Sequence, residues 1–125
     1  MDYEEKIQYL ANIYHLVRAD GRVSSVEEKV MAEVAKGIGV GYLETRKGLD
    51  RAIEKDFAFK YPARWSERVR NIEDMLLAAY ADDKLHPPEK EVLLEYAKNL
   101  GINQKQFNII KKETKERLAE LRSKK

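Results

Sequence analysis

The feature that most constrains the fold is a pattern that occurs twice in the chain, 62 residues apart. The first copy runs from Ala19 to Val40 and the second from Ala81 to Ile102. Eight of the 22 positions are identical between the copies, without a gap. Two unrelated segments of this length would agree at about one position. The sequence therefore predicts an internal duplication, with two related halves in one structure.

Each copy begins with an acidic turn between two segments of helical period. In the first copy Asp20 ends one segment and Glu27 begins the next. Asp82 and Glu89 take the same places in the second copy. The Asp-Gly pair of the first copy is typical of turns, because Asp bonds to nearby backbone and Gly adopts a positive φ freely. The repeated unit is thus predicted to be a helix, an acidic turn and a second helix.

Apolar residues recur at helical spacing along almost the whole chain, and no segment shows the alternation of a strand. In a third helix, starting at Tyr42, we expect Leu43, Leu49 and Ile53 to face inward. Cap and stop signals place the other helix starts at Asp2, Ser24, Ser66, Pro87 and Asn103. The fold class is therefore predicted to be all-α, a single bundle of six to seven helices over residues 1–125. A pseudo-twofold would relate halves at about residues 7–56 and 66–122.

The segment of residues 57–65 joins the two halves and is rich in aromatic residues. They are interleaved with Lys60 and Arg64, a pattern also found in platforms that stack single-stranded nucleic acid. A net charge of only +2 over the chain argues against a nucleic-acid partner. The favoured interpretation is a connector whose aromatic side chains fill the core between the halves.

Composition excludes several classes of function. The chain has no cysteine, which excludes disulfides, thiol catalysis and thiolate metal sites. No apolar run is long enough to span a membrane and the first residues do not resemble a secretory leader, so we expect a cytoplasmic protein without direct membrane insertion. From residue 103 onward eight Lys and Arg stand against three Asp and Glu, a charge of +5, whereas the rest of the chain sums to −3.

The four acidic residues of the turns have two interpretations. Asp20, Glu27, Asp82 and Glu89 could converge on a divalent cation such as Ca²⁺, Mg²⁺ or Mn²⁺, which prefer oxygen ligands. An EF-hand is excluded, because its first ligand and its glutamate are about eleven positions apart, and here the separation is seven. Alternatively the acids are structural, since Ser24 and Glu27 match a capping box and Glu89 occupies the equivalent helix position. The spacing alone favours caps, which are far commoner than duplicated cation sites.

No arrangement of catalytic residues is evident. His15 and His86 lie far apart, and no Ser-His-Asp order suggests itself. His15 falls inside a helix, where we expect it to be packed or solvated. The glycines of residues 37–41 follow a helix rather than a strand, which indicates a helix stop and not a phosphate loop. We therefore expect a protein that is not an enzyme.

The duplicated motif, in which each copy is followed by a helix ending in Ile/Leu-Gly-Val/Ile, resembles the TerB-like domain family. The likeness extends from about Ile7 to Ile110. The resemblance implies an all-α bundle of two related halves and a stress-linked role of the tellurite-resistance type. It also implies that acidic motif residues chelate metal, and these fall on Asp20, Glu27, Asp82 and Glu89.

The expected function is a TerB-like stress-response module that docks a protein partner and binds a divalent cation at the turns. The acidic turns and the basic final helix, with Lys111, Lys112 and Lys115, are the expected docking faces. One alternative is a metal-dependent hydrolase that uses the same carboxylates. Another is a purely structural helical adaptor in which the acids only cap helices.

Overall fold

The computed structural model describes residues 1–17, 24–82 and 86–123, and these ranges hold six α-helices and no strand. The helices are α1 (Tyr3–Val17), α2 (Ser25–Gly37), α3 (Tyr42–Ala52), α4 (Trp65–Ala79), α5 (Pro87–Asn99) and α6 (Gln104–Ser123). A 3-10 helix, Tyr80–Asp82, continues α4. None of the helices in this part of the chain is long and apolar enough to cross a bilayer. The predicted all-α bundle is confirmed.

Local sequence signals set the helix starts. At α1 the Glu5 amide donates to Asp2 Oδ1 at 2.8 Å, and the Asp2 amide donates to Glu5 Oε1 at 3.3 Å. At α6 Asn103 and Gln106 exchange the same two bonds, at 2.8 and 3.0 Å. Both pairs satisfy amides that have no partner within the helix. The predicted caps at Asp2 and Asn103 are confirmed.

The ends of α2 and α5 have the same geometry, 62 residues apart. Gly39 and Gly101 adopt φ angles of 83° and 80°, which glycine accepts without steric cost. The amide after each glycine donates to the carbonyl five residues earlier, over 2.9 Å from Val40 and 3.0 Å from Ile102. This is the Schellman arrangement that ends many helices. The local likeness agrees with a duplication, which itself stays a prediction.

Helices α1 and α4 form the centre of the bundle. Every residue of α1 from Ile7 to Val17 is buried except His15, which is half-buried. In α4 burial extends from Asn71 to Ala79 with Glu73 as the half-buried exception. These two helices pack on each other, while α3 covers α1 and α6 covers α4. A helix buried on nearly all sides is typical of a core position.

The inward face of α3 differs from the predicted one. Leu49 packs against the core, but Leu43 and Ile53 are 61% and 53% exposed. A Cβ atom on Gly48 would lie 2.9 Å from the Leu10 Cβ, so α3 approaches α1 too closely for a larger side chain there. The buried positions of α3 are the small residues Thr45, Gly48 and Ala52. Close helix packing, rather than apolar periodicity, selects this face.

The connector between α3 and α4 fills the core with only part of its aromatic residues. Phe57 and Phe59 pack against the core, and the His15 ring stacks on Phe57 at a centroid distance of 4.2 Å. The prediction is wrong for Trp65, which is 51% exposed, and holds only in part for Tyr61, whose ring contacts Tyr96 but is 38% exposed. The first turn of α4 extends past the core, since complete burial begins only at residue 71.

Candidate functional site

The two glutamates of the predicted cation site are buried at helix starts. Glu27 is 2% exposed and Glu89 is 0% exposed. Asp20 lies outside the described residues, and of Asp82 the structure describes the backbone alone, at the end of the 3-10 helix. In the described part of the chain no three His, Asp or Glu side chains are grouped to hold a metal ion. The convergence of all four acids therefore stays a prediction.

Both glutamates bond to the amide of the residue before their helix. Glu27 Oε1 accepts from the Ser24 amide at 2.8 Å, and Ser24 Oγ accepts from the Glu27 amide at 3.1 Å. At α5 the His86 amide donates to Glu89 Oε1 at 3.2 Å. Pro87 is the first residue of α5, where its missing N–H is not needed. The predicted capping box at Ser24 and the predicted place of Glu89 are confirmed.

The burial of these glutamates exceeds what a cap requires. The reciprocal pair of Asn103 and Gln106 caps α6 from an exposed position. An ionised carboxylate is costly to bury unless it is paired or coordinates a metal. Glu27 and Glu89, in contrast to the cap residues of α6, are almost completely removed from solvent.

Capping and cation ligation are chemically compatible at these positions. The cap bonds use Oε1 of Glu27 and of Glu89, whereas a carboxylate offers two oxygens with about four lone-pair sites. The 3-10 helix that contains Asp82 packs against α2, the helix that carries Glu27 in its first turn. An all-oxygen donor set of this kind fits a hard divalent cation such as Ca²⁺, Mg²⁺ or Mn²⁺.

A second set of buried polar groups, which the sequence analysis missed, lies between α1 and α4. The Tyr9 hydroxyl donates to Asp74 Oδ2 at 2.5 Å, and Asn12 Nδ2 donates to Asn71 Oδ1 at 3.0 Å. Arg117 of α6 donates to Asp74 Oδ1 at 2.8 Å. We call these five residues the central network. Burial, and then the charge of Asp74, raise the pKa of Tyr9, so its hydroxyl remains a donor.

The central network is arranged as the predicted pseudo-twofold would require. Tyr9 and Asn71 are 62 residues apart, as are Asn12 and Asp74. An exchange of the halves would place Tyr9 and Asp74 at the positions of Asn71 and Asn12, which are also bonded to each other, although there Asn12 is the donor. The sequence did contain a signal for this network, namely polar residues 62 positions apart on the otherwise apolar faces of α1 and α4. Because its bonds join three helices across the core, the network holds the bundle together.

The cations of α6 are partly directed toward the bundle. Lys111 Nζ lies 5.9 Å from the ring centroid of Phe107, and Lys115 Nζ lies 5.2 Å from that of Tyr80. These are cation–π distances. Lys112 and Lys115 are nevertheless exposed, and Lys111 is half-buried. The basic face predicted for docking is therefore open to a partner at Lys112 and Lys115 and partly packed at Lys111.

Two adjoining clefts of about 290 and 330 Å³ lie between the start of α1, the end of α3 and the connector. Both are lined by Glu4, Gln8, Arg51 and Lys60. Arg51 pairs with Glu4 at 2.8 Å. Neither cleft is lined by Glu27 or Glu89, so these clefts give no support to the hydrolase alternative.

Comparison with known proteins finds one matching family model and several similar curated proteins. A family model described as tellurite resistance protein TerB matches residues 51–112. The chain is 28% identical over 109 residues to the co-chaperone protein DjlA of Salmonella typhimurium, covering 75% of this chain and 39% of that protein. It is 28% identical over 106 residues to the co-chaperone protein DjlA of Yersinia pestis, covering 75% and 38%. The chain thus spans about two fifths of the length of these curated relatives. No solved structure matches it.

Proposed function

We propose that the chain is a TerB-like, non-enzymatic stress-response module of the tellurite-resistance type, because the TerB family model matches residues 51–112 and the DjlA co-chaperones are similar to it. It binds a divalent cation at its two acidic turns and docks a protein partner. The observation that carries the cation role is the burial of Glu27 and Glu89 at corresponding helix starts. These two carboxylates occupy equivalent positions of the repeat, and carboxylate oxygens are the ligands that a hard divalent cation prefers.

The cation would be held by carboxylates of both turns, namely Asp20, Glu27, Asp82 and Glu89. The bond from each cap amide to Oε1 fixes the orientation of the glutamate. A ligand that is already oriented loses less conformational entropy on binding. Carboxylates held close together repel one another, and a cation relieves that repulsion. Ca²⁺, Mg²⁺ and Mn²⁺ all accept such oxygen ligands.

A protein partner is proposed from the relatives and from the charge distribution. The relatives are named co-chaperones, which act together with a chaperone. In this chain the segment from residue 103 onward is basic and the rest is acidic, and Lys112 is exposed on α6. A partner bound through this charge should dissociate as salt screens it. Reversal of Lys111, Lys112 and Lys115 to Glu should abolish capture of that partner at low salt.

Calorimetric titration of chelator-treated protein with Ca²⁺, Mg²⁺ and Mn²⁺ tests the cation role. We expect saturable heat with at least one of the three ions. The matched control is the Glu27→Gln, Glu89→Gln protein, which keeps an oxygen acceptor for each cap but loses two formal charges. Saturable heat that is equal in the two proteins would place the cation elsewhere.

The purely structural adaptor is the second candidate, and the completed capping bonds favour it. Ser24 with Glu27, and His86 with Glu89, satisfy helix amides without any ion. A helix cap contributes about 1 kcal/mol of stability in this way. This candidate predicts no heat with any of the three ions and no effect of chelator on unfolding.

A further inference from the structure

We propose that an exposed aromatic and basic surface at the junction of the connector and α4 docks a short acidic segment of a partner protein. We call this surface, made of Lys60, Tyr61, Arg64 and Trp65, the connector face. It is distinct from the acidic turns and from α6. The proposal therefore does not depend on cation binding or on docking at the final helix.

The connector face exposes two large aromatic side chains within five residues. Trp65 is half exposed and Tyr61 more than a third exposed, although nearby Phe57 and Phe59 pack against the core. Trp65 is the only tryptophan of the chain. Tryptophan, tyrosine and arginine are the residues most enriched at the energetic centres of protein interfaces. The connector face combines all three.

The two cations of the connector face are not held in ion pairs by the described residues, although carboxylates line the clefts next to Lys60. Lys60 and Arg64 are exposed, and neither forms an ion pair within that part of the chain. Glu67, the one acid of residues 60–70, is paired with the amino terminus at 3.4 Å. On α6, by contrast, Arg117 is paired with Asp74 at 2.8 Å. Electrostatic complementarity calls for carboxylates on the partner.

The connector face is held in place by bonds to the core. The Tyr61 ring packs edge-on against Tyr96 at a centroid distance of 5.1 Å. Asn12 Nδ2 donates to the Lys60 carbonyl at 3.0 Å, and Arg68 Nε donates to the Pro62 carbonyl at 2.7 Å. A surface that is already ordered pays less entropy on association than a mobile loop. These contacts favour a defined docking surface.

The neighbouring clefts favour an acidic peptide over single-stranded nucleic acid. Carboxylates line both clefts where they border Lys60, namely Glu4, Glu5, Glu54 and Asp56. A phosphate backbone running from the connector face into a cleft would be repelled by these charges. A short acidic segment can place a carboxylate on Arg64 and one apolar side chain on Trp65, since neither residue lines an acidic cleft. It then reaches no further than Lys60, at the edge of the clefts.

The test starts with selection of random dodecapeptides, displayed on phage, against the intact protein. We expect the enriched peptides to combine several acidic residues with one large apolar residue. When such a peptide is titrated, the fluorescence of Trp65 should shift to shorter wavelength and be quenched less by acrylamide, since the bound peptide covers its side chain. Trp65 is the only tryptophan of the chain, so the signal reports on the connector face alone. Binding should weaken as salt is raised.

Two charge-reversal variants separate the connector face from the rest of the basic surface. Lys60→Glu with Arg64→Glu should weaken binding of the peptide by at least about tenfold, whereas Lys36→Glu with Lys98→Glu, at exposed positions of α2 and α5, should leave its affinity unchanged. If the first variant fails to fold, the emission shift and salt dependence of the unaltered protein still decide the outcome. Enrichment without acidic residues, binding that leaves Trp65 emission unchanged, or an equal loss in both variants would overturn the proposal. Tighter binding of an oligothymidylate of the same length would overturn it in favour of nucleic acid.

Discussion

Asp74 differs from Glu27 and Glu89 in how its buried carboxylate is held. Asp74 lies in the centre of the bundle, where Tyr9 and Arg117 donate to its two oxygens over 2.5 and 2.8 Å. Each glutamate lies at a helix start next to a turn and accepts from the amide of its own cap residue. Burial alone therefore does not mark a functional acid. Asp74, which Tyr9 and Arg117 tie to two other helices, serves the fold, and the pair of glutamates repeated beside two turns is a candidate for binding.

Replacement of Asp74 by Asn should have the largest effect on stability. It removes the charge of a buried carboxylate that accepts from Tyr9 and Arg117, and a hydrogen bond to a charged group contributes about 1.5–3 kcal/mol. Urea unfolding should show this loss equally in the presence of divalent cation and of chelator. A loss that depends on cation would place Asp74 in the same functional class as the glutamates.

Replacement of Ser24 by Ala should have a smaller effect, about 1 kcal/mol, because it removes the acceptor of the Glu27 amide. Ser66, exposed in the first turn of α4, provides the matched control, and Ser66→Ala should change the free energy of unfolding by only about a few tenths of a kcal/mol. The loss at Ser24 should be the same with and without cation. A larger loss with cation would show that the cap and the cation site cannot be separated.

The smallest effect on stability is expected from replacement of Glu73, the half-buried neighbour of Asp74. Burial, and then the charge of Asp74, raise the pKa of Glu73 above its ordinary value of 4.5. A raised pKa in the folded state means that Glu73 favours folding below its unfolded pKa, and this contribution is lost as pH rises through the folded pKa. Glu73→Gln should therefore raise stability at neutral pH, by less than about 1 kcal/mol for a partly solvated group.

Unfolding of the Glu73→Gln protein at neutral and acidic pH checks this prediction. The gain should shrink as pH falls, because Glu73 is then protonated and neutral in both states. An unchanged gain at pH values below about 4 would exclude titration of Glu73 as its cause. A loss of stability at neutral pH would mean that a nearby positive charge stabilises ionised Glu73, as Arg117 stabilises Asp74.

Most helix starts and ends were predictable from the sequence because local chemistry decides them; the exception is α4, which begins at Trp65 after Arg64 and not at a Ser66 cap. Ser24, Pro87 and Asn103 each act within one helical turn, and Gly39 and Gly101 have the positive φ that a helix stop needs. These signals require no knowledge of the rest of the fold. The glutamates were found for the same reason, since a capping pair is visible over four residues.

The features that the sequence analysis missed depend on distances between helices. Leu43 and Ile53 are exposed because Gly48 allows α3 to approach α1 closely through its small residues. Asn12 and Asp74 are polar residues on apolar helix faces, and only the packing of α1 on α4 shows that they are bonded. Asp20 lies outside the described residues, so the complete donor set at the turns remains a prediction.

Thermal unfolding with and without divalent cation tests the central claim most directly. At a hundredfold excess of cation over its dissociation constant, binding should stabilise the protein by about 2.7 kcal/mol. Glu27→Gln with Glu89→Gln should lose most of this gain, yet in chelator should cost only about a few tenths of a kcal/mol per site, since Gln still serves a capping box. Asp20→Asn with Asp82→Asn controls for turn chemistry, because Asn supports the same turn. If the melting curve of the unaltered protein in millimolar Ca²⁺, Mg²⁺ or Mn²⁺ overlays the curve in chelator, the carboxylates are structural and the cation site does not exist.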